Sequence, residues 1–181
     1  MANRIDLNPV TRITADAVGV PGQRTFYIQA RDRSQRVTLL CEKDQVAMLA
    51  QALTNTLEEL KTKYPRGSRF VPLDVDMKLE WPDEPMFRVG AIGLGYDEDK
   101  DMVLIELREV QTEEGQDENE LDRVRFFCSR AQVDALARYA GESVQRGRPV
   151  CPLCGKPMDA NGNVDGFCPR RNGHGDEVVF S

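Results

Sequence analysis

The chain has 181 residues, of which 40% are hydrophobic and 30% charged, and its formal net charge is −6. This composition is typical of a globular protein with a hydrophobic core and argues against a largely disordered chain. No apolar run approaches the roughly 20 residues of a membrane-spanning helix. The first ten residues also lack the apolar stretch of a secretory signal, so we expect a cytoplasmic protein.

Charge is distributed unevenly along the chain. Residues 1–73 carry a net charge of +4, residues 74–122 carry −13 and residues 123–181 carry +3. Residues 111–122 include the acidic stretch Glu113–Asp122, with six acids in ten residues, which is too polar to bury and predicts a solvent-exposed loop. Three roles fit this loop: solubilising the protein, docking a basic partner, or masking arginines on the protein's own surface.

The chain contains an internal repeat. Residues 36–50 align without gaps with residues 123–137, and seven of the fifteen positions are identical. Weaker matches upstream align residues 26–31 with 103–108 and residues 17–20 with 91–94. The identical pairs are Arg36/Arg123, Val37/Val124, Cys41/Cys128, Gln45/Gln132, Val46/Val133, Leu49/Leu136 and Ala50/Ala137. We interpret the chain as a duplication whose second copy has the longer, acidic hairpin loop.

Each copy is predicted to form strands followed by a helix. Alternate residues are apolar in the last strand of each copy, and Cys41 and Cys128 lie on that apolar face. We interpret both cysteines as small apolar core residues, because a buried free cysteine usually behaves as a small hydrophobic residue. The alternative, a redox function for the pair, would require the two cysteines to be adjacent. The segments that follow repeat apolar residues every three or four positions, as amphipathic helices do. The predicted buried positions are Val46, Leu49, Ala50, Leu53, Leu57 and Leu60 in the first helix and Val133, Leu136, Ala137, Ala140 and Val144 in the second.

Capping signals mark where both helices begin. Ser129 and Gln132 have the spacing of a capping box, and Glu42 and Gln45 occupy the same positions in the first copy. Between the copies, alternation of apolar and polar residues predicts a further strand over residues 73–81.

The predicted fold class is α+β, with an internally duplicated unit of antiparallel strands and one helix, arranged as βββα or ββββα. The two units are expected to be related by a pseudo-twofold axis and to form one body. We assign residues 1–66 to the first repeat, 67–147 to the second, and 148–181 to a small zinc-ribbon-like module.

The C-terminal module contains the metal-binding motif. Residues 151–155, Cys-Pro-Leu-Cys-Gly, have the form of a zinc knuckle, in which the glycine lets backbone amides turn toward the sulfurs. Cys168 and His174, the one histidine of the chain, complete a set of four ligands, as a closed structural site requires. We therefore predict a structural zinc ion bound by Cys151, Cys154, Cys168 and His174. A redox dithiol and a catalytic metal are less favoured, since no thioredoxin-like strand and helix flank the motif and no second histidine can act as a base.

The tail motifs, together with residues 26–31 and 37–46, resemble a bacterial family of uncharacterised repeat proteins, and the resemblance covers nearly the whole chain. It implies an intracellular protein without an assigned activity, and the family's tail motif maps onto Cys151, Cys154, Cys168 and His174. A histidine just before the third cysteine is common in that family. Here residues 164–167 stand in its place, which leaves His174 as the candidate fourth ligand.

These observations favour a non-catalytic zinc-binding scaffold or adaptor protein that recognises a macromolecular partner, with a protein as the expected partner. Phosphate-binding loops, nucleophile elbows and zinc-protease motifs are missing from the sequence. Oligomeric state has no signal in the sequence.

Two other functions are compatible with the sequence. Duplicated sheet-and-helix units are similar to PUR and Whirly architectures, which bind single-stranded nucleic acid. The residues for such a face are Arg24, Tyr27, Arg31, Arg33, Arg36, Arg123 and Arg125, although a pI near 5.0 argues against it. An enzyme with carboxylate acid–base groups would use Asp74, Asp76 and Glu80.

Overall fold

The computed structural model describes residues 2–20, 22–65, 75–80, 84–147 and 151–156, and residues 158, 164 and 168. Contacts divide the chain into two compact units. The first comprises residues 1–18 and 25–144, and the second comprises residues 19–24 and 145–181. The predicted α+β class is confirmed, since the first unit holds two sheets packed with helices and the second holds a small cysteine cluster.

The elements follow in the order predicted for a duplicated chain. The strands are β1 (Arg4–Leu7), β2 (Arg12–Val18), β3 (Thr25–Arg31), β4 (Arg36–Cys41), β5 (Val89–Asp97), β6 (Met102–Glu109) and β7 (Arg123–Cys128). Helix α1 (Lys43–Lys63) follows β4, and helix α2 (Arg130–Arg146) follows β7. No helix in the described ranges is both long and apolar enough to cross a membrane.

Two antiparallel meanders form the sheets. Strands β2, β3 and β4 form a three-stranded sheet in that order, called the first sheet below. The second sheet has the strand order β1-β7-β6-β5. Strands β5, β6 and β7 form the second meander, and β1 pairs in parallel with β7 at its edge. Each meander leads into one helix, so β2-β3-β4-α1 and β5-β6-β7-α2 are the two copies of the repeated unit.

The segment before each meander runs beside the last strand of the other meander. Strand β1 precedes β2 but pairs with β7. In the same way, residues 86–88 precede β5 but bond to β4. The Met86 N–H donates to the Thr38 carbonyl at 2.8 Å, and the Leu40 N–H donates to the Phe87 carbonyl at 3.0 Å. The two copies therefore exchange a segment, which ties them into one body.

Strand register corrects one part of the predicted repeat alignment. Ile13 in β2 pairs with Ala30, and Ile92 in β5 pairs with Leu107. Ala30 and Leu107 are equivalent positions of the repeat, so Ile13 corresponds to Ile92. The alignment of residues 17–20 with 91–94 is therefore wrong. The two segments resemble each other only in their small and apolar residues. Residues 17–20 lie at the end of β2, whereas residues 91–94 lie inside β5.

Both meanders and both helices bury their apolar faces in one core. Every helix position predicted to be buried is buried. Cys41 and Cys128 belong to the same core, and burial raises the pKa of the Cys41 thiol to about 12. Burial also raises the pKa of Cys128, so both cysteines remain protonated thiols.

Residues 75–80 do not form a strand, so the prediction for residues 73–81 is wrong for the part of that range that the structure describes. They lie across the outer face of the first sheet and bond to its side chains. The buried amide of Gln29 donates to the Glu80 carbonyl at 2.9 Å and accepts from the Glu80 N–H at 2.8 Å. The Thr14 hydroxyl donates to another carbonyl of this segment. Hydrogen bonds from side chains of the sheet, and not from a neighbouring strand, thus satisfy backbone groups of this segment.

Gln45 and Gln132 occupy equivalent positions of the repeat and make equivalent bonds. Each side-chain oxygen accepts from the N–H of the residue that caps its own helix, at 2.9 Å, which confirms both capping boxes. Each side-chain nitrogen donates to a main-chain carbonyl of the other copy. The acceptor is Val89 for Gln45 and Val10 for Gln132, both at 2.9 Å.

We predict that Gln45→Glu lowers the free energy of unfolding by about 1–3 kcal/mol. The carboxylate keeps an oxygen for the capping box but has no N–H for the Val89 carbonyl, which remains without this donor. Urea unfolding measures the loss, and Gln132→Glu should show a similar one. Gln51→Glu, on the exposed side of α1, is the matched control and should change stability by less than about 0.5 kcal/mol. Equal losses in both α1 variants would contradict the proposed role of this bond.

Candidate functional site

Cys151 and Cys154 lie in a tight turn. The Cys151 N–H donates to the Lys156 carbonyl and the Gly155 N–H donates to the Cys151 carbonyl, both at 2.8 Å. Gly155 has a φ of +69°, in the left-handed region that glycine adopts without steric cost. The backbone therefore turns sharply after the second thiol and brings both sulfurs to the same side, as in a metal knuckle.

Cys168 brings a third sulfur to this turn. Its Sγ lies 3.7 Å from the Sγ atoms of both Cys151 and Cys154. All three sulfurs lie within 4.8 Å of one another. A tetrahedral zinc ion with Zn–S bonds of about 2.3 Å holds its sulfurs about 3.8 Å apart. The three cysteines are free thiols, and their spacing allows them to bind one metal ion.

The sulfur cluster has an apolar surround. Cys151 and Cys168 are only 1% and 2% exposed, and they pack with Val164 and Met158 in a small cluster of their own. Met158 and Val164 form an antiparallel bridge. Water has little access to two of the three sulfurs, which is typical of closed structural sites and unlike catalytic sites with an open position.

Main-chain N–H groups control the ionisation of the thiols. The N–H groups of Leu153 and Cys154 donate to the Cys151 sulfur and lower its pKa to about 7. The Lys156 N–H acts in the same direction on Cys154, but burial and the neighbouring thiols oppose it and raise the pKa of Cys154. One thiolate therefore forms readily near neutral pH, and a bound cation would stabilise further ones.

The fourth predicted ligand, His174, lies outside the described residues. Within the described ranges, Cys151, Cys154 and Cys168 form the one group of ligand-type side chains close enough together to hold a metal ion.

On the outer face of the first sheet, arginines surround one carboxylate. Arg31 and Arg36 both lie 3.3 Å from the Glu80 carboxylate, and Arg12 approaches it at 3.9 Å. Tyr27 lies on the same face of this sheet, to judge from the strand register. The structure thus brings together Tyr27, Arg31 and Arg36 from the predicted nucleic-acid face.

Glu80 was one of three candidate acid–base carboxylates, and here it forms ion pairs with arginines. Of the other two, Asp76 uses its main-chain carbonyl to accept from Arg12, and Asp74 lies outside the described residues. Sequence analysis overlooked Arg12, although its alternation with Thr14 along β2 places both on the outer face.

The arginines of the second sheet also have acidic partners. Arg125 forms a two-point pair with Asp6, one bond at 2.8 Å, which lowers the pKa of Asp6. Arg123 lies 3.8 Å from Glu106. These contacts join β1, β6 and β7 across one sheet face.

The two remaining arginines of the predicted nucleic-acid face lie elsewhere. Arg33 is exposed in the turn between β3 and β4. Arg24 belongs to the second unit, where its side chain lies against Gly147.

The acidic loop contacts one arginine. Its 3₁₀ turn, Glu118–Glu120, places Glu118 at 3.2 Å from Arg108 of β6. This contact fits one of the three roles considered for the loop, the masking of an arginine on the protein's own surface.

We predict that N-ethylmaleimide modifies Cys151 of metal-free protein well before Cys41 and Cys128. The pKa of the Cys151 thiol is about 7, and its module has too few apolar residues to stay closed without metal, whereas the large core keeps Cys41 and Cys128 protonated and inaccessible. Mass spectrometry of peptides measures the order, and the rate for Cys151 should rise between about pH 6 and about pH 8. Equally fast modification of Cys41 would contradict the predicted order.

Comparison with known proteins gives one family. No curated protein and no solved structure matches the chain. The model of a family described as proteins of unknown function, DUF3090, matches residues 5–165, which include both sheets and the knuckle. The chain therefore belongs to the DUF3090 family of proteins of unknown function.

Proposed function

We propose that this protein is a non-catalytic, zinc-binding scaffold or adaptor protein that recognises a protein partner inside the cell. The observation that carries the proposal is the cluster of three sulfurs, with two separations of 3.7 Å. Reduced cysteines in this arrangement fit a reducing, intracellular compartment.

The donor set and its surround support zinc as the metal. Thiolate sulfur is a soft ligand that binds zinc tightly in tetrahedral sites. Cys151, Cys154 and Cys168 would supply three ligands, and His174 would supply the fourth. The described core of this module contains only a few apolar residues, so metal binding would contribute most of its folding energy.

The ion pairs of the sheets favour a protein partner over a nucleic acid. Arg31 and Arg36 share Glu80, and Arg125 pairs with Asp6. A phosphate backbone would have to displace these carboxylates, and the pI near 5.0 adds long-range repulsion.

The zinc proposal predicts about one zinc ion per purified chain. Elemental mass spectrometry measures the metal, and Cys151→Ser should lose it because one of the clustered sulfurs is gone. Cys41→Ala is the matched control, since it removes a cysteine of the sheet body and should keep the zinc. His174→Ala should weaken zinc binding at least about tenfold if this histidine is the fourth ligand. Well-folded wild-type protein without metal would refute zinc binding.

The protein-partner proposal predicts no salt-sensitive binding of a single-stranded DNA oligonucleotide. Fluorescence anisotropy at low and physiological salt checks this. Affinity that falls steeply with salt, and falls further in an Arg31→Ala/Arg36→Ala double variant, would instead support nucleic-acid binding.

A further inference from the structure

Helix α1 and strand β5 leave an apolar groove between them, inside the first unit. Its cavity has a volume of about 210 Å³, and Met48, Ala52, Ile92 and Leu94 are among the residues that line it. None of its lining residues is charged. Met48 is 72% exposed and adds apolar surface at the groove.

In the other copy of the repeat, the equivalent junction of helix and strand lies between α2 and β2. We call each of these two junctions a seam, and in the α2–β2 seam polar side chains fill the space. There the Tyr139 hydroxyl donates a hydrogen bond to the Asp16 carboxylate at 2.8 Å. Ser143, one helical turn further along α2, donates to the same carboxylate at 2.8 Å. Asp16 is 9% exposed, so the tyrosine and its partners seal this seam against water.

The first copy has small residues at the positions of both members of the closing pair, and one of these residues, Ala52, lines the groove. The gapless helix alignment places Ala52 at the position of Tyr139. The strand register places Gly95 at the position of Asp16, because Gly95 pairs with Leu104 as Asp16 pairs with Tyr27. The α1–β5 groove is therefore a seam from which the closing tyrosine is missing.

The strand beside this groove can accept another strand. β5 lies at the end of its sheet and is hydrogen-bonded along its length only to β6 among the described strands. It carries three glycines and no charged residue before Asp97, so it lacks the charges that usually protect an edge. An extended peptide can pair with such an edge and direct alternate side chains toward a neighbouring pocket.

We propose that the α1–β5 groove binds an aromatic side chain, tyrosine or phenylalanine, presented by an extended segment of a partner protein that adds to the edge of β5. The uncharged lining suits an aromatic ring and not a phosphate backbone. This inference rests on the proposed function, because it names the surface by which the scaffold would recognise its protein partner.

Selection from a displayed library of random peptides, with the zinc-loaded full chain as bait, tests the proposal. Enriched peptides should share a tyrosine or phenylalanine flanked by strand-forming residues. Amide resonances of β5 should shift when such a peptide binds, as should those of residues at the groove.

Ala52→Tyr should fill the groove with the chain's own ring, as Tyr139 does in the other seam, and weaken the selected peptides at least about tenfold. Gln51→Tyr, on the exposed side of the same helix turn, is the matched control and should leave affinity unchanged. Thermal unfolding confirms that each variant is folded. Should Ala52→Tyr fail to fold, Met48→Glu places a charge at the exposed mouth of the groove and should also weaken binding.

No enriched peptide, peptides without an aromatic residue, or equal binding by wild type and the groove variants would overturn the inference. Competition of a single-stranded oligonucleotide for the groove would also overturn it. The zinc-free Cys151→Ser variant separates the two proposals. Loss of peptide binding only in the groove variants supports the inference whether or not zinc is found, whereas missing zinc with intact peptide binding refutes only the metal part of the proposed function.

Discussion

The first unit depends on one bond made twice, from Gln45 and from Gln132 to a carbonyl of the opposite copy. An amide side chain carries both an acceptor and a donor, so it can cap its own helix and reach across the interface at the same time. A carboxylate of the same length lacks the donor, and a shorter amide lacks the reach. This double requirement accounts for the presence of glutamine at both equivalent positions of the repeat.

The glutamine bonds hold in place the segments that the two copies exchange. Val10 lies between β1 and β2, and Val89 opens β5, so each bond holds the point where the chain crosses from one sheet to the other. Each sheet is completed by a segment from the other copy. Neither copy would have a complete sheet by itself, which makes the pair a single folding unit despite its origin as a repeat.

Features with a local signal were predictable from the sequence, and features set by distant contacts were not. Periodicity identified both helices and their buried faces, and residue spacing identified the capping boxes and the Cys151–Cys154 knuckle. The parallel pairing of β1 with β7 joins residues 119 positions apart and has no local pattern. Residues 75–80 alternate as a strand would, because one side of the segment faces the protein, but side chains satisfy their backbone. The fourth metal ligand is a prediction from sequence alone.

A comparison of the two copies shows which features they share and which differ. Both copies keep an arginine pair at the same place, Arg31 with Arg36 and Arg108 with Arg123, but they neutralise it differently. In the first copy the carboxylate comes from Glu80, in a segment laid over the sheet.

In the second copy Glu106 supplies the carboxylate from within the sheet, at the position that Gln29 occupies in the first. The carboxylate shared by this arginine pair therefore comes from the sheet itself, and Glu118 of the acidic loop is a second partner for Arg108. The small residues that line the groove beside the edge strand of this sheet are Gly90 of β5 and Ala52 of α1. The two copies thus share the buried core, the helix caps and the exchanged segments, and they differ in the groups that cover their sheets and neutralise their arginines.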